Sequence, residues 1–205
     1  MPVDKVLEYI AVVFGILSVW FSRKENILVY PVGLVNTILY IYLSLKGHLI
    51  GEASVNLYYT IVSAWGWYLW TRKDYSRKPV LQITFSNNKG RWLQLAFFSF
   101  FFLALFLIIT YFKKNFPGAL PLPDAFAAAS AYTGMWLMAK KKVESWYWWI
   151  CTNIISIPLY YIKDYKITSI YYTILLILAF YGYAEWKRKA LLNLKLNEKH
   201  RHHRP

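Results

Sequence analysis

Five stretches of this chain run for 18 residues or more without Asp, Glu, Lys or Arg: 27–45, 53–71, 92–112, 145–162 and 167–184. A helix needs about 20 apolar residues to cross the hydrocarbon layer of a bilayer. Nothing else in the sequence restricts the fold as much. Two further stretches are shorter or flanked by charge. Residues 3–22 carry Asp4, Lys5 and Glu8 only in their first turns. Residues 125–139 follow Pro121, Pro123 and Asp124, where a helix start is expected. Together the seven stretches predict an all-α integral membrane protein with seven transmembrane helices.

Composition agrees. Of the 205 residues, 58% are hydrophobic and 17% charged, against roughly 25% charged in soluble domains. A soluble chain of this length could not bury so much apolar surface. The single cysteine, Cys151, excludes an internal disulfide and a paired-cysteine zinc site; it reads as a packed thiol. The net charge of +14 does not indicate nucleic acid, because the basic residues lie between apolar stretches and in the tail. Residues 3–22 do not read as a cleaved signal peptide: acidic Asp4 and Glu8 flank them, and no small-residue cleavage site follows Phe21 and Ser22.

Basic residues between the stretches set the expected orientation. Of the 24 Lys and Arg, 18 fall on one side and six on the other. The richer side holds Arg23, Lys24, Arg72, Lys140–142 and the tail at 187–205. Basic loops favour the cytoplasm, so the amino terminus is expected outside and the carboxy terminus inside. His200, His202 and His203 read as part of a solvated tail rather than a metal site. Residues 80–90 alternate briefly and end in a turn signal, which predicts a short ordered cytoplasmic connection.

The two halves of the chain resemble each other. The first has KEN at 24–26, Asn36, YYT at 58–60 and GWYLW at 66–70. The second has KVES at 142–145, Asn153, YYT at 171–173 and GYAEW at 182–186. The spacing between partners is not constant, which small loop deletions would absorb. Asn36 is thereby matched to Asn153 and Tyr59 to Tyr172. The expected organisation is a three-helix bundle (1–72), a connection with a crossing helix (73–120), a second bundle (121–188) and a basic tail (189–205). Both bundles start on the same side, so they are parallel repeats joined by a crossing helix, an architecture used by transporters.

Polar groups at depth need partners or a cavity. Asn56, Tyr59, Ser63 and Trp67 share one helical face. Asn36 and Tyr40 lie one turn apart, as do Trp149 and Asn153, and Thr133 lies three residues from Trp136. These residues, with Tyr172, form the candidate solute site; the alternative for the Asn, Ser and Thr side chains is bonding between helices. Trp70, Trp92, Trp146 and Trp186 lie near the ends of the stretches and are expected in the lipid interface. Pro31 and Pro158 are candidate kinks. No ionisable residue occupies the middle of a stretch, no phosphate-cradling loop is present and no catalytic cluster lies at depth. That pattern favours facilitated diffusion over ion coupling, ATP-driven transport or an enzyme. The competing class is a structural or assembly protein, for which the bundle centre would be dry and filled.

Several elements in order carry a family likeness. They are WxxW at 67–70, the asparagine of Leu34-Val35-Asn36, the run Pro123-Asp124-Ala125-Phe126, and KKKVESW at 140–146 followed by Trp149 and Asn153. In these the chain resembles the Pnu family of bacterial vitamin transporters, of the PnuC type. The resemblance implies a three-plus-one-plus-three fold related to the SWEET sugar carriers, in the bacterial inner membrane. It implies uptake of nicotinamide riboside, trapped through phosphorylation by a separate cytoplasmic kinase, with no cofactor. It also implies a homo-oligomer, a trimer. Relatives carry thiamine or riboflavin, and Asn56 and Ser63 stand where a glutamine and an asparagine are more typical, so these vitamins stay as alternatives. Nicotinamide riboside and thiamine both present a flat cationic ring, which Trp and Tyr faces hold with about 1–2 kcal/mol when desolvated. Trp136 or Trp149 is the expected stacking partner.

Overall fold

The computed structural model describes residues 3–46, 50–75, 77, 79–114 and 118–202, with side chains described except at 50–52 and 197–202. Among the described residues there are seven α-helices: α1 (Val3–Arg23), α2 (Val29–Lys46), α3 (Ile50–Thr71), α4 (Asn88–Phe112), α5 (Pro121–Ala139), α6 (Ser145–Ile162) and α7 (Lys166–His202). Local chemistry sets several ends. Asn87 caps α4, its side chain accepting from the Gly90 N–H at 2.8 Å. Pro121 opens α5, where its missing N–H costs nothing, and the Asp124 carboxylate accepts from the Leu120 N–H at 2.7 Å. Beyond α1 and α5 the chain turns through left-handed residues, Glu25 (φ 59°) and Lys141 (φ 51°).

Two expectations change. Helix α7 does not stop near residue 184 but continues to His202. The segment after Gly182 has neither Gly nor Pro before Pro205 and is rich in Lys, Arg, Ala, Leu and Glu, all strong helix formers. Pro31 is the third residue of α2, inside the first turn, where proline is tolerated; only Pro158 lies within a helix body. The side chains of His200, His202 and His203 lie outside the described residues.

Among the described residues four helices are long and apolar enough to cross a membrane: α1, α2, α4 and the 166–196 part of α7. In α4 none of the apolar stretch is buried in the protein, as suits a helix whose surface is turned to lipid. Helix α5 differs, with eleven buried residues, among them Ala125, Ala127, Ala129, Ala131 and Gly134. It is surrounded by protein. Small residues let its neighbours approach closely, as lipid-embedded helix packing requires.

Helix α1 packs on α2 and α2 on α3; α5 packs on α6 and α6 on α7. The halves meet along α1–α7 and α3–α5. Six helices thus close into a ring, with α4 outside it against α5. Two aromatic pairs seat α4: Phe97 stacked on Trp136 at 4.8 Å, and Phe98 tilted beside Trp148 at 4.8 Å. The Trp148 indole N–H also donates to Gln94 at 2.9 Å.

The helix ends repeat at a constant interval of 116 residues, which is the interval of the expected GWYLW–GYAEW match but not of the matches made at Asn36 and Tyr59. Helices α2 and α6 begin at Val29 and Ser145 and end at Lys46 and Ile162; α1 and α5 end at Arg23 and Ala139; α3 and α7 begin at Ile50 and Lys166. Each partner lies 116 residues after the other, as do Glu25 and Lys141. In this register Asn36 corresponds to Thr152, not Asn153, and Tyr59 to Leu175, not Tyr172. A lone asparagine and a YYT motif recur too easily in such a chain to fix an alignment, whereas the Gly and Trp of GWYLW and GYAEW keep the 116-residue interval. Packing fixes it. Tyr30 of α2 lies against Gly66 of α3 and edge-on to Trp70, at 5.2 Å and 88°. Trp146 of α6 lies against Gly182 of α7 and edge-on to Trp186, at 5.6 Å and 87°.

These aromatics are not the lipid-interface belt expected of them. Trp70, Trp146 and Trp186 are buried, and with Tyr30, Ile83, Met138 and Val143 they form one core. Of the four tryptophans expected in the belt, Trp92 alone, at 74% exposure, remains at the surface. The glycines make the difference, because they open seats into which a large ring fits.

The basic loops gather at this end. Residues 80–90 are ordered, as expected. Lys141 C=O accepts from the Thr84 N–H (3.2 Å) and Thr84 C=O from the Val143 N–H (3.1 Å). The Glu144 carboxylate accepts from the Ser86 N–H at 2.9 Å, and the Asn193 amide donates to the Ile83 carbonyl at 3.0 Å. The other end carries Lys46–Asp4 (2.7 Å) and Lys163–Asp124 (2.6 Å).

A methyl at Gly182 would run into the Trp146 indole, whereas one at Gly118 would meet nothing within 4 Å. Gly182→Ala should cost about 1–3 kcal/mol through overpacking, and Gly118→Ala should be neutral. Thermal unfolding of the two variants in detergent measures the difference; equal midpoints would contradict the packing described.

Candidate functional site

Inside the ring the helices contribute aromatic side chains from every direction but α1. Helix α3 brings Tyr58 and Tyr59, neighbours in sequence whose rings lie 6.0 Å apart. Helix α5 brings Tyr132, 4.3 Å from Tyr58 and 6.2 Å from Tyr59. The Tyr58 hydroxyl donates to the Tyr132 carbonyl at 3.0 Å, tying α3 to α5. Helix α6 brings Trp149, 6.3 Å from Tyr59, and Tyr160, stacked on Tyr172 of α7 at 5.1 Å and 12°. Tyr171 lies beside Tyr172 at 5.5 Å. The phenol of Tyr59 is within electrostatic reach of Tyr171 and Tyr172, and Tyr171 is within reach of Tyr40 on α2.

Helix α1 contributes space instead. A Cβ at Gly15 would lie 2.5 Å from the Tyr171 hydroxyl and 2.9 Å from the Asn36 amide nitrogen. Gly134 of α5 does the same for Trp149, whose indole would stand 3.3 Å from a Cβ there. Tyr59, Tyr171 and Tyr172 are only half-buried, although Tyr59 and Tyr171 lie deep among other atoms. The interior region that these side chains border, between the two halves, is called the crevice.

On α6, Trp149, Asn153, Ser156 and Tyr160 follow at spacings of four, three and four, so they share one face. Trp149 reaches Tyr59 and Tyr160 reaches Tyr172. Asn153 therefore stands between them, turned to the crevice. It is 3% exposed, and among the described residues its carboxamide has no hydrogen-bond partner.

Of the residues expected to hold a solute, Tyr40, Tyr59, Trp149, Asn153 and Tyr172 come together here. Ser63 is buried one turn from Tyr59 toward the basic end, and half-buried Asn56 lies one turn the other way. Asn36 borders the crevice, with its amide nitrogen donating to the Ala11 carbonyl at 2.7 Å, a bond between α2 and α1. Three are set apart. Thr133 is fully buried and donates to the Ala129 carbonyl of its own helix at 2.8 Å. Trp136 faces α4, with Phe97 on its face and the Lys140 ammonium 4.2 Å from its ring. Trp67 is 38% exposed near the basic end of α3. Spacing alone places a residue on a helical face; it does not say which neighbour that face meets.

Tyr58, Tyr132, Tyr160 and Tyr171 belong to the crevice and were not among the expected residues. The signal existed for two of them, since Tyr58 and Tyr171 open the two YYT motifs. For Tyr132 and Tyr160 the α5 and α6 faces had to be known first.

The crevice offers ring faces, phenol hydroxyls and one free carboxamide, without a carboxylate or ammonium among the side chains named. Among the described residues no group of three or more His, Cys, Asp and Glu could hold a metal. Such a lining suits a flat, weakly hydrated ring, above all a cationic one, with polar substituents for Asn153 and the phenols.

A ring of apolar helices around a polar-aromatic interior defines the class: a polytopic membrane protein of the transporter type. The chain belongs to the family described as nicotinamide mononucleotide transporter, whose sequence profile matches residues 5–188. It is similar to the riboflavin/roseoflavin transporter RibM of Streptomyces davaonensis, 23% identical over 177 residues, covering 85% of this chain and 81% of the relative. It is also similar to the nicotinamide riboside transporter PnuC of Neisseria mucosa, 29% identical over 196 residues, with 90% and 73% covered. The crystal structure of the vitamin B3 transporter PnuC superposes with a TM-score of 0.71 at 25% identity, covering 92% of this chain and 83% of that one.

Proposed function

We propose that the chain is a vitamin transporter of the bacterial inner membrane that carries nicotinamide riboside down its gradient, and that the aromatic crevice is its binding site. The observation that carries the reading is the unpartnered Asn153 carboxamide set between Trp149, Tyr59 and the Tyr160–Tyr172 stack. The nicotinamide ring would lie against aromatic faces. Its carboxamide and the ribose hydroxyls would meet Asn153, Ser63 and the phenols of Tyr40, Tyr59 and Tyr172, with Asn36 and Asn56 at the margin. Thr133, Trp136 and Trp67 support the wall from behind or below. The same lining fits the thiamine cation, and the likeness to RibM makes riboflavin the other alternative.

The architecture of this reading is two parallel three-helix bundles, 1–72 and 121–188, joined by α4 within 73–120, with α3, α5 and α6 crossing the membrane as well. Support comes from the 116-residue register and from α4 packing outside the ring. The basic end faces the cytoplasm and the amino terminus lies outside. A cytoplasmic kinase acts on the delivered vitamin, and a phosphate finds no cation among the crevice residues to bring it back. The chain acts as a carrier, not an enzyme, and assembles as a homotrimer in lipid.

Titration of the purified protein with nicotinamide riboside, thiamine and riboflavin tests the site. Asn153→Leu and Trp149→Ala should each weaken binding roughly ten- to a hundred-fold, the cost of a buried hydrogen bond or ring contact. Thr133→Val and Trp136→Phe should leave it unchanged. Equal affinity in all four variants would remove the crevice from consideration.

In proteoliposomes, flux should stop when substrate concentrations are equal on both sides, because no ionisable relay lines the crevice. Accumulation past that point under an imposed proton or sodium gradient would contradict uniport. A reporter fused after Pro205 should be active only in the cytoplasm; activity in the periplasm would reverse the orientation.

A further inference from the structure

The basic end of the ring is held shut by bonds that run between the two halves, and they are paired by the repeat. Trp70 ends α3 in the first half, and its indole N–H donates to the Ala139 carbonyl at the end of α5 (3.1 Å). Trp186, its equivalent on α7, donates to the Ser22 carbonyl near the end of α1 (3.0 Å). The two indoles meet at 6.0 Å. Repeat-equivalent residues also touch each other, which places them on the axis relating the halves. The Ser22 hydroxyl is 2.9 Å from the Met138 sulfur, and the Lys141 ammonium is 2.8 Å from the Glu25 carboxylate. The Lys141 side chain is only 6% exposed, and its ammonium stands 4.6 Å from the Trp70 ring. Arg23 of the first half faces Glu185 of the second at 3.4 Å, and Lys189 reaches Glu25 at 2.9 Å.

The far end is built differently. Its ion pairs are also repeated, but Lys46–Asp4 joins α2 to α1 and Lys163–Asp124 joins α6 to α5. Each lies within one half and places no restraint on the distance between halves.

We propose that the basic end is a gate, closed in this structure, in which the reciprocal Trp70 and Trp186 bonds and the Glu25–Lys141 pair bar the path between the crevice and that side of the membrane. The assignment rests on the carrier reading. Opening it means parting the α1–α7 and α3–α5 seams at one end, with each half kept intact by its own ion pair at the other. The closed state carries a built-in cost. Tyr30 and Trp146, equivalent and 2% and 1% exposed, leave the Tyr30 hydroxyl and the Trp146 indole N–H without partners. Two buried unsatisfied donors offset part of what the bolt contributes, which keeps open and closed states close in free energy. Burial raises the Glu25 carboxyl, but the bonds from Lys141 and Lys189 outweigh it and hold the group below the usual carboxylate range. Glu25 is therefore held as the carboxylate when the gate is shut.

Ser63 lies on α3 between Tyr59 of the crevice and Trp70 of the gate, seven residues from Trp70 on the same face. In a Cys151→Ser background, Ser63→Cys reports water access to this level. A charged, membrane-impermeant thiol reagent is applied from the Pro205 side of oriented vesicles. Labelling should be slow with the gate intact. It should quicken about tenfold or more when Glu25→Gln and Lys141→Gln are combined, because the open state is a minor population that loss of the pair enlarges. An unchanged rate in the monodisperse double variant overturns the gate. Ser22→Cys with Met138→Cys, joined by a short bifunctional thiol crosslinker, provides the second measurement. The joined protein should not label at Ser63→Cys from that side at all, and cleaving the link should restore the rate. Equal labelling with and without the link overturns the gate as well, also if the double variant does not fold. Neither labelling experiment needs a substrate, so a protein that binds none of the three vitamins would refute the carrier reading and leave the gate result standing.

Discussion

Helices in a bilayer gain little from hiding apolar surface from one another, because lipid is as apolar as leucine. What holds them is close fit. In this chain the closest fit is an aromatic ring seated on a glycine, made twice. Tyr30 sits on Gly66 beside Trp70, and Trp146 sits on Gly182 beside Trp186. Each seat locks the middle helix of a half to its last helix. Trp70 and Trp186 then extend the lock across the seams to the other half. Without these seats neither the pitch of the halves nor their mutual register would be defined.

The crevice follows from that arrangement. Because the rings are packed at one end, the helices further along the ring are held apart at a distance that side chains must span. Tyrosines span it. Their bodies pack, and a hydroxyl can reach the backbone of the facing helix, as in the Tyr58 bond to the Tyr132 carbonyl. Helix α5 is the exception in composition. Its alanines and Gly134 bring α4, α6 and α3 close, and Trp149 lies in the space left at Gly134. A tyrosine-lined interior is therefore a mechanical consequence of the seats and at the same time a chemical surface.

Much of this was legible in the chain itself. Apolar stretches located the seven helices to within a few residues at every end but the last, where α7 runs on to His202, since the cost of an unsatisfied charge in lipid leaves few alternatives. The repeat was visible too, in the right register at Gly66 and Gly182 and in the wrong one at Asn36 and Tyr59. Asn36 with Asn153 and Tyr59 with Tyr172 look alike as letters, whereas Tyr30 with Trp146 does not, and only the latter pair shares a seat. The buried tryptophans were misread for a related reason. Trp70, Trp146 and Trp186 lie at helix ends, where an indole is usually at the lipid interface, and only the glycine on the neighbouring helix reveals that a pocket awaits it. Facing was the other gap. Spacing put Thr133 and Trp136 on one face of α5, but α5 has neighbours on several sides, and a helix surrounded by protein gives no apolar stripe to orient it. The α6 face with Trp149 and Asn153 was easier, because a polar carboxamide at depth has only the interior to turn to.

A carrier must release what it binds, and the lining of the crevice bears on that. A carboxylate at depth would hold an organic cation tightly and would itself be costly to keep charged in an apolar surround. Ring faces hold the same cation with about 1–2 kcal/mol each, enough to strip part of its water and little enough to let it go. The charged groups are instead stationed at the basic end, where Glu25 and Lys141 neutralise each other across the halves. There an ion pair can be strong, because it has to part only when the halves part, and water reaches both charges as they separate. On the proposed reading, selectivity lies in neutral rings and closure in paired charges, which keeps the two demands from interfering: a tighter closure does not mean a stickier site.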